Sequence, residues 1–421
     1  MSILELMPSG STGSEAITCV WPAEPGSSDT VQTEIGWSMC ELGPAAVPAK
    51  DFLRIVAAAY LADRTVSRPQ LAMLRDLNIV VHVEQPKAWT EQMLDRVADL
   101  LHWLSGDTWR IRLVQADPGP EHIRPGVPVE AAEAVSLLSG GLDSLCGALL
   151  QLDYTATTVF LGHRDSSTSI RRAQDTVRAD LLARKPDFTY VRYAFRPLLP
   201  RRESTPRTRS LLFQAMATVL ASGRGATRIL VPENGFTSIN PPLEPSRGGP
   251  LTTRSTHPWT FHLVQQILDE LPLAGIAISN PHAMMTKGDL VAAALRPGSA
   301  DDLAVAAATV SCAKQNAGRL PGANPNLNCG LCIACFVRRG AFAAAGRADN
   351  TRYLATTLTG ASLEQLKHLR RHDIAAATYA TRAGLDEYRI LASGVWPPHT
   401  DFDAVLGLCD RGLEELSLVT V

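Results

Sequence analysis

Val135-Ser136-Leu137-Leu138-Ser139-Gly140-Gly141-Leu142-Asp143-Ser144-Leu145-Cys146-Gly147-Ala148-Leu149-Leu150 reads as three pieces in succession. Val135 to Leu138 is a short apolar run of the kind a buried strand uses. Ser139-Gly140-Gly141 interrupts it, and Asp143-Ser144 opens an apolar segment with helical character. A strand, a glycine turn and a helix N-terminus together make an anion site. The glycines let backbone N–H groups close on an oxyanion, and the helix dipole favours negative charge there. Ser139 and Ser144 add hydroxyl donors at the rim. Asp143 would repel a bare phosphate, so a bridging cation is expected, and with it a Mg²⁺-nucleotide. The spacing is neither G-x-x-x-x-G-K-[ST] nor G-x-G-x-x-G. The plainer alternative is a loop capped by Asp143 that holds no ligand.

Outward from this stretch, strand and helix patterns alternate. Strands are expected at Thr158 to Gly162, Thr189 to Phe195, Arg228 to Val231 and Ile276 to Asn280. Helices are expected at Ser169 to Ala183, Arg209 to Ala221 and Trp259 to Leu271. That order argues an α/β fold with a parallel sheet. In such a sheet the ligand sits beyond the carboxyl ends of the strands, where Gly140, His163 and Glu233 all fall, so one crevice is expected to hold them. Towards the N-terminus, residues 1–30 are rich in Ser, Gly, Pro and Thr and read as a loose arm. Residues 31–116 read as a small accessory α/β domain with strands at Val31 to Trp37, Leu77 to Val83 and Trp109 to Val114. Its helices fall at Asp51 to Leu61 and, N-capped by Thr90, at Thr90 to Leu104. His82 is expected to be packed or solvated. Prolines and glycines mark residues 117–133 as a linker.

Composition sets outer limits. The chain has 421 residues, a formal charge of −2, 45% hydrophobic and 19% charged residues, as in globular proteins of two or three domains. The near-neutral balance argues against a general polyanion binder. No basic, apolar leader opens the sequence and no run approaches a membrane span, so a cytoplasmic, membrane-free protein is expected. Charge is uneven, however: residues 164–209 hold twelve Arg or Lys against five Asp or Glu. Arg201, Arg202, Arg207 and Arg209 fall in a loop that reads as a clamp for pyrophosphate or an acidic substrate, with Arg209 the leading member. A solvated face or an RNA-facing patch is the alternative.

Cys329-Gly330-Leu331-Cys332-Ile333-Ala334-Cys335 sets three thiols at C-x-x-C-x-x-C, and Cys312 is the evident fourth. Four thiolates satisfy tetrahedral Zn²⁺ in a closed, structural site. An iron–sulfur cluster is the competing reading, although the proline-terminated ferredoxin run is missing. Cys19, Cys40, Cys146 and Cys409 read as ordinary buried thiols.

Ser139-Gly140-Gly141-Leu142-Asp143-Ser144 resembles the S-G-G-x-D-S loop of the ATP pyrophosphatase (PP-loop) superfamily, whose members split ATP into AMP and pyrophosphate. Within that superfamily the chain resembles 7-cyano-7-deazaguanine synthase (QueC). The likeness rests on Thr286-Lys287, on Thr309-x-x-Cys312, and on Cys329-Gly330-x-Cys332-x-x-Cys335-x-x-Arg338 running into Gly340-Ala341-Phe342-x-x-Ala345-Gly346. Arg209-Ser210-Leu211-Leu212-Phe213 is similar to that family's R-N-x-x-F helix start. These motifs span about 134–346, leaving 347–421 as a helical C-terminal extension. Gly162-His163-Arg164-Asp165 and Glu233-Asn234-Gly235 depart from the family pattern. With its extra N-terminal region, the chain is similar to QueC-like subunits of bacterial anti-phage defence systems, the Qat type especially.

The resemblance implies a Rossmann-like PP-loop fold with a Cys₄ zinc subdomain, and an AMP- and pyrophosphate-forming carbon–nitrogen ligase. Ser139, Gly140, Gly141, Leu142, Asp143, Ser144, Gly162 and His163 would bind ATP with Mg²⁺. Asp143, Ser144, Lys287 and Arg209 would be catalytic. Glu233, Asn234 and Arg338 are expected to contact the substrate, Glu233 by accepting from the N–H edge of a guanine-like base, and a purely structural Glu233 at a strand end is the alternative. A partner protein amine docked on residues 31–116 is an expected acceptor, and a homodimer or a defence complex the expected assembly. An RNA-modifying PP-loop enzyme and a non-catalytic ATP-binding subunit stand as alternatives.

Overall fold

The computed structural model describes residues 2–68, 74–117, 130–152, 157–164, 167–203, 206–245, 253–273 and 275–419. Most of the expected linker, residues 118–129, lies outside the described residues. The chain opens with β1 (Ser2–Pro8), β2 (Ile17–Trp21), β3 (Gly26–Ser27), β4 (Val31–Thr33) and α1 (Val47–Thr65). It continues through β5 (Asp76–Val83), α2 (Glu91–Ser105) and β6 (Thr108–Gln115). Residues 2–21 are therefore not a loose arm. β1 inserts between β2 and β5 in a four-stranded, all-parallel sheet of order β2-β1-β5-β6. Leu4 and Leu6 on β1 and Cys19 and Trp21 on β2 are buried, so apolar alternation outweighs the Ser/Gly/Pro-rich composition around them. His82, on β5, pairs with Glu5 of β1 at 2.9 Å.

The second sheet carries the stretch quoted first. Its elements are β7 (Ala134–Leu137), α3 (Leu142–Leu152), β8 (Thr158–Arg164), α4 (Thr168–Arg184), β9 (Thr189–Pro197), α5 (Arg209–Arg224), β10 (Arg228–Leu230), α6 (Gly235–Ile239), α7 (Pro258–Glu270) and β11 (Ala277–Ser279). The order is β11-β10-β7-β8-β9-β4-β3. The first five strands run parallel, and the β3–β4 hairpin closes the far edge antiparallel to β9. Val31, expected to begin an accessory domain, thus belongs to this sheet, paired with Pro197.

α1 joins the two halves. Every residue from Pro48 to Thr65 is buried, because the helix lies between the first sheet and α5. An Ala-rich helix with apolar residues all round is suited to such a place. Asp51, Arg54 and Asp63 are paired rather than solvated. Asp51 meets Arg54 at 2.7 Å, and Arg54 reaches Glu84 at 2.6 Å. At the other end Asp63 meets Arg75 at 2.6 Å and accepts the Arg207 and Thr208 backbone N–H groups at the start of α5. A single apolar core runs from Leu4 through Leu61 and Leu212 to Ile278.

The remaining helices are α8 (Lys287–Ala294), α9 (Ala300–Ala308), α10 (Ile333–Ala344), α11 (Leu354–Thr357), α12 (Gly360–Ala383), α13 (Glu387–Ala392) and α14 (Phe402–Ser417). α14 folds back against α8 and α10. At its crossing with α10 a Cβ on Gly340 would lie 2.3 Å from the Glu415 carbonyl oxygen, so only glycine allows this approach. Among the described residues, no helix is long and apolar enough to cross a membrane.

Candidate functional site

β7 is the strand at which the sheet changes direction. The chain steps from β7 outward through β8 and β9, then returns to place β10 on the other side of β7. A crevice forms at the carboxyl ends of strands at such a point, because the loops there diverge to opposite sides. The loop after β7 and the loop after β10 both open on a cavity of about 820 Å³. Ser139, Gly141, Leu142, Asp143, Ser144, Glu233 and Lys287 all line it.

The Ser139–Ser144 loop is ordered by its own side chains. Ser144 Oγ accepts from Ser139 N at 3.2 Å and donates to the Gly141 carbonyl at 3.0 Å, while Ser139 Oγ lies 3.1 Å from Ser144 Oγ. Gly140 has φ of +88°, a left-handed conformation that disfavours any side chain. Its carbonyl accepts from Val310 N at 3.0 Å, which ties the loop to the cysteine-bearing segment. Gln174 on α4 donates to the Ser139 and His163 carbonyls.

Two acids and a lysine meet at the floor. Lys287 is the first residue of α8, whose N-terminus is fixed by the Thr286–Asp289 capping box. Its Nζ donates to Asp143 Oδ2 at 2.6 Å, and Asn234 Nδ2 reaches the same oxygen at 3.2 Å. Burial would raise the Asp143 pKa, but the Lys287 ammonium holds the carboxyl below its ordinary value. Burial likewise disfavours the ammonium, and Asp143 and Glu233 outweigh it, so the Lys287 pKa is raised. Glu233 goes the other way: burial and the Asp143 charge push it well above a normal glutamate, which favours its protonated form. Asn234 Nδ2 and Thr237 Oγ1 both donate to Glu233 Oε1, at 3.2 and 2.9 Å. The Asp143 and Glu233 carboxyls also hydrogen-bond with each other, which lowers the first pKa and raises the second. A carboxylate lining the cavity fits a hard cation, and Ser139, Gly141 and the α3 N-terminus beside it fit the phosphates such a cation accompanies.

Other expected members lie elsewhere. His163 is buried beside β9, its Nε2 3.4 Å from the Phe195 carbonyl, and Gly162 is covered by Tyr190. Neither lines the cavity. Arg209 does not line it either, because Asp63 draws the start of α5 onto α1. The Arg202 and Glu203 N–H groups donate to the Arg64 carbonyl, so the arginine loop docks on the first half of the chain and is no clamp at this cavity. Arg338 is fully buried. Its guanidinium donates to Thr309 Oγ1, Ser311 Oγ, Thr351 Oγ1 and the Ala306 carbonyl, and that closed set leaves nothing for a substrate.

The sequence gives no sign of two further residues. Asp373 on α12 lines the cavity beside Lys314, whose Nζ is 2.5 Å away. Glu415 on α14 accepts from Thr286 Oγ1 and from Gly288 N, at 2.9 Å for the nearer oxygen, and so braces the helix end that presents Lys287. Both come from the C-terminal extension, where no motif spacing marks them.

Cys312, Cys329, Cys332 and Cys335 are all buried, with their sulfurs within 4.8 Å of one another. Three of the separations are 3.9, 3.9 and 3.5 Å. Four sulfurs around one tetrahedral Zn²⁺ at about 2.3 Å stand about 3.8 Å apart, so the cluster is compatible with zinc. A multi-iron cluster, in which each thiolate binds its own iron, needs wider spacing. Asn328 shapes the knuckle by accepting from Ser311 N and Cys312 N. Cys332, which also N-caps α10, forms part of the cavity wall.

No protein-family model matches the chain, and no curated protein sequence matches it.

Proposed function

We propose that the chain is a PP-loop enzyme resembling 7-cyano-7-deazaguanine synthase: an ATP-dependent, AMP- and pyrophosphate-forming carbon–nitrogen ligase. The observation that carries this reading is the Asp143–Lys287 pair, lining a cavity beside a glycine-turned helix N-terminus at the switch point of a parallel sheet. Ser139, Gly141 and the α3 N-terminus would receive the phosphates, and Asp143 the Mg²⁺. That cation would neutralise charge on the departing pyrophosphate. Lys287 spends one of its three donors on Asp143, so the others can meet a phosphate oxygen. Zinc at the four cysteines is structural in this reading and holds the wall that contains Val310 and Lys314.

The reaction balances without a redox partner. A substrate carboxylate oxygen attacks the α-phosphorus of ATP, the bond to the bridging oxygen breaks, and pyrophosphate leaves with the electron pair. An amine nitrogen then adds to the acyl carbon, AMP departs, and the nitrogen loses a proton to give an amide. A second activation would convert a primary amide into a nitrile. Catalysis is then chiefly positioning and charge neutralisation at the leaving group. The protonated form of Glu233 is suited to donate a hydrogen bond to a purine-like ring or a carboxylate oxygen. The amine is ammonia or a partner protein, as in a defence assembly.

The test is ATP–pyrophosphate exchange with 7-carboxy-7-deazaguanine. Asp143→Ala and Lys287→Ala are each expected to lower exchange by about a hundredfold or more while native-like circular dichroism is kept. Unchanged exchange in either variant contradicts the reading. ATP binding by the parent protein with no pyrophosphate release marks a non-catalytic nucleotide-binding subunit instead.

A further inference from the structure

Lys287 and Lys314 are the two basic residues among the described lining of the 820 Å³ cavity. Different parts of the chain present them. Lys287 rises from the start of α8, whereas Lys314 ends a strip that begins at Val310, where the backbone N–H holds the Gly140 carbonyl. Ser311, Ala313 and Lys314 of that strip all line the cavity. α12, in the C-terminal extension, grips the end of the strip twice. Arg370, buried at 2% exposure, donates to the Lys314 carbonyl and to Asn316 Oδ1, each at 2.7 Å. Asp373, one turn further along α12, accepts from Lys314 Nζ at 2.5 Å.

The Asp373 side chain is 2% exposed and that of Lys314 44%. The ammonium is therefore fixed from the protein side and open on the other, with one of its three donors engaged. On the ligase reading, on which this inference rests for its substrate, a carboxylate has to approach the α-phosphorus of ATP. Both groups are anionic and repel each other at contact distance. Lys287 is committed to Asp143 and the departing pyrophosphate, and a protonated Glu233 carries no charge to offer. Lys314 is the remaining cation among the described lining residues. Pro241, Leu243 and Ile333 line the same cavity and suit the faces of a flat ring.

We propose that Lys314 binds the carboxylate of a flat-ring acid awaiting activation, and that α12 holds it in place to do so. The ammonium takes one carboxylate oxygen, which leaves the other free to attack phosphorus, and no proton passes to or from the lysine. Arg370 and Asp373 are positioning residues. The C-terminal extension thereby completes the acid half of a site whose phosphate half is built by the loop after β7.

The test is calorimetric titration of the full chain with 7-carboxy-7-deazaguanine and, separately, with its uncharged primary amide, so that no turnover is needed. The parent is expected to bind both. Lys314→Gln keeps a donor for Asp373 but removes the charge. It should weaken binding of the acid by about tenfold or more and that of the amide by less than about twofold, as the loss of one charged hydrogen bond requires. Lys314→Arg should recover most of the affinity for the acid. Equal losses for acid and amide, which a merely structural lysine would give, overturn the proposal. So does an unchanged affinity for the acid in Lys314→Gln, or a parent that does not bind the acid at millimolar concentration. Acid binding that depends on Lys314 in a chain without ATP–pyrophosphate exchange removes the ligase activity and keeps Lys314 as the carboxylate's ligand. Exchange that Lys314→Gln does not slow at low acid concentration does the reverse.

Discussion

Glu233 shows at the scale of one residue how function is set against stability. Its carboxyl is held beside Asp143, and its pKa stands well above the ordinary 4.5. For a group raised in the fold, the stabilising contribution is full below the unfolded value and is lost as pH rises towards the folded one. Glu233→Gln removes that titration while keeping the shape. We therefore expect the variant and the parent to melt alike near pH 4.5, with the variant gaining steadily as the pH is raised through neutrality. Thermal melts across that range decide it, and a gap that does not change with pH contradicts the assignment. Asp143 works in the opposite window: its contribution holds above about 3.8 and is lost as acid titrates it. Both residues were legible in the sequence because each follows the end of a strand, Asp143 in the first turn of α3 after β7 and Glu233 in the turn after β10. Their mutual contact was not, since ninety residues of chain separate them and only the return of β10 to β7 brings them together.

At the scale of elements, the cysteine knuckle and the phosphate loop form one construction. Val310 N reaches the Gly140 carbonyl at 3.0 Å, two residues before Cys312. Binding of a structural Zn²⁺ is worth about 10–16 kcal/mol in small zinc peptides, so its loss should loosen the loop as well as the knuckle. We expect about one zinc per chain by metal analysis, and Cys332→Ser is expected to lower the metal content, the melting temperature and ATP–pyrophosphate exchange together. Iron with sulfide in the native protein, or full exchange without metal, contradicts this. C-x-x-C-x-x-C was readable because its ligands are local. The arginine loop misled for the converse reason. Its charge was visible in the sequence, but Asp63, which pulls its end onto α1, lies well over a hundred residues earlier.

At the scale of the whole molecule, the parts do not separate as the motifs do. The region that resembles a free-standing enzyme, 134–346, takes an edge strand from residues 31–33, rests α5 on α1, and has Lys287 braced by Glu415. A fragment confined to 134–346 would expose β9 as a bare edge and uncover the apolar face that α1 fills. We expect it to be insoluble or molten, and a cooperative melt with native-like circular dichroism would refute this. Strand alternation within each half could be read from periodicity, but the pairing of β4 with β9 could not, because three residues carry no register signal. That pairing also sets a schedule for synthesis. Val31 leaves the ribosome early, yet its partner Pro197 follows only after well over a hundred further residues. At ordinary elongation rates this is a delay on the order of ten seconds. Throughout it the hairpin has nowhere to dock, so the nascent chain carries an unfinished sheet edge that a chaperone, or a neighbouring copy on the same messenger, is free to meet first.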